Sequence, residues 1–98
     1  SADVVITNPT HLAIAIRYTA GEMDAPVVVA KGQELVAERI REIAREHGIP
    51  LVENPPVARL LHSRVEVDRM IPEDLFRAVA EILAYVYSLK RHLITAVW

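Results

Sequence analysis

The first third of the chain consists of short apolar runs separated by polar turns, a pattern typical of a β-sheet. The β-branched run 4–7 favours a strand, because such side chains fit a pleated surface. Over 12–18, large apolar side chains alternate with alanines and one arginine, which predicts a strand covered on both faces. The uniformly apolar run 27–30 predicts a buried strand that Gly32 ends.

The middle of the chain changes to helical spacing. Apolar residues recur at the period of a helix between positions 33 and 47. The expected buried stripe of this helix comprises Leu35, Val36, Ile40, Ile43, Ala44 and in part His47. Glu34 falls on the charged side of the same helix, which the pattern assigns to solvent. The short run Leu51–Glu53 then predicts one more strand.

Helices dominate the second half of the chain. Asn54 is a good helix cap and Pro55 suits the first helical position, so a helix is predicted there. Its expected inward residues are Val57, Leu60 and Leu61. The segment 65–70 fits either a loop or a short edge segment. Pro72, followed by two acids, predicts the start of the last helix. Its expected buried residues are Leu75, Phe76, Val79, Ala80, Leu83, Val86 and Tyr87.

This order of elements predicts the fold class. We expect a single α/β domain over residues 1–98, with a central four-stranded sheet packed by about three to four helices. No apolar run reaches the ~18 residues of a membrane-spanning helix, and the chain lacks an initiator Met. We therefore expect a soluble piece of a longer protein, with a processed protein as the other possibility.

Composition narrows the range of functions. A net charge of −2 gives no broad attraction to nucleic acid, so no nucleic-acid partner is expected. The absence of cysteine excludes a disulfide framework, a thiol nucleophile and a cysteine zinc site. His47, His62 and His92 are too dispersed to predict a metal site. Gly32 follows a lysine after a predicted strand but lacks the glycine spacing of a phosphate loop, so no cofactor is expected.

The Asn8-Pro9 dipeptide has one unusual chemical property. Asparagine usually reacts with the backbone N–H of the next residue, but Pro9 has no N–H. The remaining route is attack by the Asn8 side-chain nitrogen on the Asn8 carbonyl carbon. That attack closes a succinimide, expels the Pro9 nitrogen and breaks the backbone. An amide nitrogen is a poor nucleophile, so a turn held between two strands must supply most of the rate.

The next two residues offer groups that can assist this reaction. A histidine such as His11 can accept or donate a proton near neutral pH. Thr10 offers a hydroxyl and backbone groups that can hold the turn or stabilise the tetrahedral oxygen. In most proteins these four residues form an ordinary turn, so the spacing alone does not carry the hypothesis.

The sequence around the turn supports the cleavage hypothesis, because it resembles a known family. Residues 2–11, which end in Asn8-Pro9-Thr10-His11, resemble the signature of the FlhB/YscU family, the export-switch proteins of bacterial type III secretion. The resemblance covers about residues 2–90, through the segments 2–11, 25–32, 41–44, 47–50, 53–59, 71–75 and 78–87. The segments 30–32 and 53–56 are more similar to the flagellar branch than to the virulence-injectisome branch. Residues 91–98 lie outside it and are expected to form a variable tail.

The resemblance implies a place in a larger protein. The parent would be a multi-pass protein of the bacterial inner membrane, attached through a missing N-terminal transmembrane region. This domain would lie on the cytoplasmic face and switch export from rod-and-hook to filament substrates. Its implied partners are rod- and hook-type export substrates, the hook-length control protein and other export-apparatus proteins. Cleavage after Asn8 would occur once per chain, without catalytic turnover, and leave 1–8 associated with 9–98.

Substrate docking requires an apolar surface on a chain of near-neutral charge. The candidate residues are Ala25 and Pro26 together with Ala80 and Leu83 of the last predicted helix. They are equally well explained as ordinary core or loop residues.

Three classes of function remain open. The first is the self-cleaving export switch, of flagellar type or as the injectisome homologue. The second is a stand-alone export adaptor of the same fold that does not depend on cleavage. The third is an unrelated small α/β enzyme, for which no acid–base or nucleophile constellation exists outside the turn.

Overall fold

Within the described backbone, the chain forms one mixed sheet of four strands. The strands are β1 (Val4–Asn8), β2 (Leu12–Arg17), β3 (Val27–Gln33) and β4 (Leu51–Glu53). They lie in the order β3-β2-β1-β4, with β1 antiparallel to β2 and parallel to β4, and with β2 antiparallel to β3. The sequence-based prediction of a four-stranded sheet is therefore confirmed, and β2 is central as its pattern indicated.

The helices lie on both faces of this sheet. The computed structural model describes the backbone of residues 1–97 and the side chains of residues 1–91. Across that range the helices are α1 (Leu35–Glu46), α2 (Pro55–Arg64) and α3 (Phe76–Val97), the last preceded by a 3-10 turn (Glu73–Leu75). The α/β class is confirmed. Of the expected variable tail, the side chains after Arg91 lie outside the described residues.

The larger core lies between the sheet and the helices α2 and α3. From the sheet it takes the alternating large residues Val4, Ile6, Ile14 and Ile16, all inaccessible to solvent. From the helices it takes Val57, Leu61, Leu75, Val79, Ile82, Leu83 and Val86. Full burial of each large aliphatic side chain contributes about 1.5–3 kcal/mol, so this layer supplies most of the stability of the domain.

The opposite face of the sheet is lined by small residues, which let α1 approach closely. Ala13 and Ala15 of β2 pack there with Ala37 and Ala44 of α1. The predicted stripe is wrong at four positions, because Leu35, Val36, Ile43 and His47 are exposed, Leu35 by 80%. The helix instead turns its alanines to the sheet, since only small side chains fit the short distance between them.

The stripes predicted for the other helices are also partly wrong. On α2, Leu60 is exposed and Ala58 is buried in its place. On α3, Phe76, Ala80 and Tyr87 are exposed, while Ile82 joins the core. In both helices only a narrow stripe faces the core, and apolar residues on the flanks of that stripe stay in contact with solvent.

Strand β3 does not end at Gly32, contrary to the prediction, and it is not fully buried. Its ladder with β2 continues through the pairs Ala13 with Gly32 and Leu12 with Gln33. A Cβ at position 32 would lie 2.2 Å from Val36 Cγ1. The glycine is therefore needed for the close approach of α1 to the strand rather than for ending it.

The segment 65–70, for which the sequence left two alternatives, contacts the outer edge of β3. The Val28 N–H donates to the Arg69 carbonyl at 3.0 Å, and the Asp68 N–H donates to the Val28 carbonyl at 2.7 Å. An isolated bridge pairs Val27 with Met70. The short edge segment is thus the correct alternative, and it covers part of an edge that would otherwise expose unpaired backbone groups.

The contact at Gly32 yields a prediction of stability. Gly32→Ala should lower the free energy of unfolding by about 1–3 kcal/mol, because the added methyl group overpacks the strand–helix contact. Urea denaturation followed by circular dichroism measures the loss. The penalty should shrink in a Val36→Ala background, where Cγ1 is absent. An equal penalty in both backgrounds, or none, would contradict this account of the contact.

Candidate functional site

The residues Asn8 to His11 form a tight hydrogen-bonded turn between the two central strands. Asn8 ends β1 and pairs with Leu12, the first residue of β2. The His11 N–H donates to the Asn8 carbonyl oxygen at 2.8 Å. Asn8 is half-buried, whereas Pro9, Thr10 and His11 are exposed. The structure therefore brings the four predicted site residues together in one turn, with the carbonyl of the Asn8–Pro9 bond already bound to a backbone donor.

Both ends of the turn are anchored by junctions between strands and helices. On the β1 side, the Asn54 N–H donates to the Thr7 carbonyl at 2.9 Å. On the β2 side, the Glu34 N–H donates to the His11 carbonyl at 2.9 Å. Asn54 also caps α2 as the sequence predicted, with its Oδ1 accepting from the Val57 N–H at 3.3 Å. The turn is thus fixed on both sides by elements that belong to the folded core.

The imidazole of His11 contacts a residue that the sequence did not assign to the site. His11 Nδ1 lies 3.2 Å from Glu34 Oε1, and the two side chains are 66% and 68% exposed. An ion pair or charged hydrogen bond at this exposure stabilises a protein by only about 0–1 kcal/mol. The sequence pattern placed Glu34 on a solvated helix face. The signal that could have assigned Glu34 to the site is the β2–β3 register. This register places Gln33 beside Leu12 and so brings residue 34 close to residue 11.

The backbone of Glu34 has an unusual conformation. Its φ of 52° and ψ of −117° match the first central position of a type II′ turn, which glycine strongly prefers. A side chain in such a region costs about 1–3 kcal/mol. The Glu34 carboxylate makes no hydrogen bond that caps α1. The carboxylate instead contacts the imidazole of His11, three residues after Asn8.

The second group of predicted residues also comes together in the structure. Ala25, Pro26, Ala80 and Leu83 line one apolar groove of about 310 Å³ between the loop before β3 and helix α3. Ala25 and Leu83 are buried in its floor, and Ala80 is exposed on its wall. The sequence did not predict the rest of the lining, which consists of Tyr18, Asp24, Phe76, Ala84 and Tyr87.

Aromatic side chains and one polar contact shape the rim of this groove. Partial burial raises the pKa of the Tyr87 phenol, and the nearby Asp3 and Tyr18 raise it further. The Tyr87 phenol therefore stays protonated to a higher pH than that of an exposed tyrosine, and its hydroxyl can donate a hydrogen bond. The Tyr18 N–H donates to the Asp3 carboxylate at 2.8 Å. Through Asp3, the segment that precedes the turn also orders one wall of the groove.

The described part of the chain contains neither a metal-binding cluster nor a membrane-spanning helix. Among its His, Asp and Glu side chains, no group of three lies close enough to hold a metal ion. Its helices include none that combines the length and apolar character needed to cross a membrane.

Comparison with known proteins gives one consistent result. The sequence profile of the FlhB, HrpN, YscU and SpaS family matches residues 1–86. The flagellar biosynthetic protein FlhB of Bacillus subtilis is 56% identical over 90 residues, which are 92% of this chain and 25% of that protein. FlhB of Salmonella typhimurium is 53% identical over 90 residues, 92% of this chain and 24% of that protein. The chain thus spans about a quarter of the length of these relatives.

A solved structure resembles the whole fold. The crystal structure of the cytoplasmic domain of FlhB from Shewanella putrefaciens superposes with a TM-score of 0.91 at 45% sequence identity. The match covers 96% of this chain and 72% of that one.

Proposed function

The chain belongs to the FlhB, HrpN, YscU and SpaS family, and on that premise we propose that it is the cytoplasmic export-switch domain of a flagellar type III export component. The domain cleaves its own backbone between Asn8 and Pro9 and takes part in the change from rod-and-hook to filament substrates. The observation that carries the proposal is the turn, which is closed by a hydrogen bond to the Asn8 carbonyl and anchored at both ends.

The cleavage is a cyclisation within one residue. The Asn8 Nδ2 attacks the Asn8 carbonyl carbon, and a new C–N bond forms as the bond to the Pro9 nitrogen breaks. One proton passes from Nδ2 to the Pro9 nitrogen, which leaves as a secondary amine. Water then opens the succinimide to give a free carboxylate at residue 8. Each chain reacts once, so the domain is not an enzyme with turnover.

The turn supports this reaction through its backbone. The oxygen that gains negative charge in the attack is the Asn8 carbonyl oxygen, which accepts the His11 N–H at 2.8 Å. A fixed backbone donor at this distance is the arrangement found in oxyanion holes, where loss of one donor slows reactions about 10²–10³-fold. The anchors at Asn54 and Glu34 keep this donor in place. His11 and Thr10 keep the roles expected from the sequence, proton transfer and support of the turn.

The cut leaves the two pieces associated. Residues 1–8 carry β1, which is paired with β2 on one side and β4 on the other. Val4, Val5 and Ile6 are at most 1% exposed, and burial of each contributes about 1.5–3 kcal/mol. The change produced by cleavage is therefore local, namely a free turn and a new Pro9 terminus.

The apolar groove is the docking site for export substrates in this proposal. Its lining is apolar and aromatic, with Asp24 as the acidic residue among the described lining residues. An apolar side chain of a rod- or hook-type subunit fits such a surface, whose walls are already ordered by the fold. The hook-length control protein and other parts of the export apparatus are the further partners. The parent lies in the bacterial inner membrane, with this domain on the cytoplasmic face.

The adaptor alternative is favoured by one observation. The groove residues Ala25, Pro26, Ala80 and Leu83 are positioned by the fold, and their placement does not require the cut. A domain that docks substrates without cleaving would keep the groove and leave the backbone intact. The injectisome alternative requires the same turn. The two curated relatives described above, at 56% and 53% identity, are both flagellar proteins, which favours the flagellar proposal.

Denaturing mass spectrometry of the purified chain tests the cleavage. We expect two fragments, 1–8 and 9–98, whose masses sum to the parent plus one water once the imide has hydrolysed. Asn8→Ala should remain intact because it lacks the attacking nitrogen.

A matched control for this experiment is Asn54→Ala, which removes a side-chain cap but keeps the backbone donor to Thr7. It should still split. An intact parent after long incubation near neutral pH would refute the proposal in favour of the adaptor, and an Asn8→Ala chain that splits would refute the chemistry.

A charge placed in the groove tests the docking role. Ala80→Glu should weaken binding of a purified rod- or hook-type subunit by about tenfold or more, because a carboxylate must be desolvated against apolar walls. Isothermal titration calorimetry measures the affinity, and circular dichroism checks the fold.

The matched control is Ser88→Glu, which adds the same charge to an exposed position on the same helix outside the groove. It should bind like the wild type. Equal loss in both variants, or no loss in Ala80→Glu, would count against this groove.

A further inference from the structure

We propose that Glu34 is a positioning residue for the cleavage turn and acts through His11. This inference rests on the proposed self-cleavage and assigns a role to a residue distant in sequence. Glu34 lies between β3 and α1, and it contacts His11 twice, once through its side chain and once through its backbone.

The side-chain contact favours one tautomer of the imidazole. An ionised carboxylate only accepts hydrogen bonds, so the 3.2 Å contact with Glu34 Oε1 requires the proton on His11 Nδ1. The lone pair then lies on Nε2, the nitrogen that faces away from Glu34. A carboxylate that orients a histidine in this way makes its other nitrogen the proton acceptor. His11 in that form can take the proton that Asn8 Nδ2 releases and deliver it to the departing Pro9 nitrogen.

The backbone contact fixes the other functional group of the same residue. The Glu34 N–H holds the His11 carbonyl at 2.9 Å, and the His11 N–H holds the Asn8 carbonyl at 2.8 Å. One residue of the β3–α1 junction therefore constrains both the imidazole and the backbone donor to the developing oxyanion.

The conformation of Glu34 is the independent reason for assigning it a function. A glycine would adopt the φ of 52° without strain, yet the position carries a long charged side chain. That side chain does not cap the helix it precedes. Strained residues concentrate at functional sites, and the contact that this one makes is with His11.

The test measures cleavage rates after refolding. Wild type, Glu34→Gln, Glu34→Gly and the control Glu38→Gln are purified unfolded, refolded by dilution and followed by mass spectrometry. Glu38 lies in the first turn of α1, four residues after Glu34, so its substitution removes the same charge from the same helix end. Glu34→Gln and Glu34→Gly should cleave about two- to fivefold more slowly, the range expected for an exposed charge pair. Glu38→Gln should match the wild type.

Two further readouts separate positioning from a purely structural role. In an Asn8→Ala background, ¹⁵N NMR should find His11 in the Nδ1–H tautomer, and Glu34→Gln or Glu34→Gly should remove that preference. In a His11→Ala background, Glu34→Gln should have no further effect on the cleavage rate. Glu34→Gly should also raise the unfolding midpoint, since it relieves the backbone strain.

The outcomes are distinct. Unchanged rates in the Glu34 variants of a chain that cleaves would overturn this inference and leave the proposed function standing. Slower cleavage that persists in the His11→Ala background would also overturn it, because Glu34 would then act by another route. A wild-type chain that never cleaves would overturn the proposed function and this role together, while NMR would still report the tautomer.

Discussion

The hydrogen bond from the His11 N–H to the Asn8 carbonyl joins the fold to the chemistry. It closes the turn between the two central strands, and it binds the oxygen on which charge would develop during cyclisation. Its geometry depends on elements far from it in sequence, since Asn54 anchors one flank of the turn and Glu34 the other. The sheet and its helices therefore act as the support for one backbone hydrogen bond.

Proline at position 9 determines which reaction of Asn8 is chemically possible in this turn. Without an N–H, Pro9 cannot attack the Asn8 side chain, so the side-chain amide attack is the route that remains. Pro9 also restricts Asn8 to extended conformations, which suits the last residue of a strand. In the proposed function, Pro9 thus selects the reaction and also favours the strand end at which Asn8 would react.

Much of this arrangement was predictable from the sequence. The β-branched and alternating runs predicted β1 and β2, and Asn54 with Pro55 predicted the start of α2, because these signals are local. The burial of α1 and α3 was predicted less well. Leu35 and Phe76 are apolar yet exposed, because the face that a helix buries depends on how the helix packs on the sheet. For α1 that packing is set by the short distance to the sheet, which the alanines of β2 allow. Glu34 was missed for a related reason, since only the strand register brings it to His11.

The groove and the turn are linked through β1. Asp3, near the start of that strand, accepts the Tyr18 N–H, and Tyr18 forms part of the groove wall. Residues 1–8 therefore carry the carbonyl of the Asn8–Pro9 bond at one end and, at the other, the carboxylate that accepts the Tyr18 N–H beside the groove. In the proposed function, this strand is the physical connection between cleavage and substrate choice.

In the proposed function, cleavage between Asn8 and Pro9 requires the folded sheet, because the dipeptide alone does not hold the reacting groups in place. The most direct measurement compares cleavage of the same chain before and after folding. The chain is held unfolded in guanidinium chloride, diluted into buffer near neutral pH, and sampled over time by mass spectrometry. We predict an intact chain in denaturant and fragments 1–8 and 9–98 after refolding, because only the fold holds the attacking geometry. Equal cleavage in both states, or none after refolding, would contradict the account.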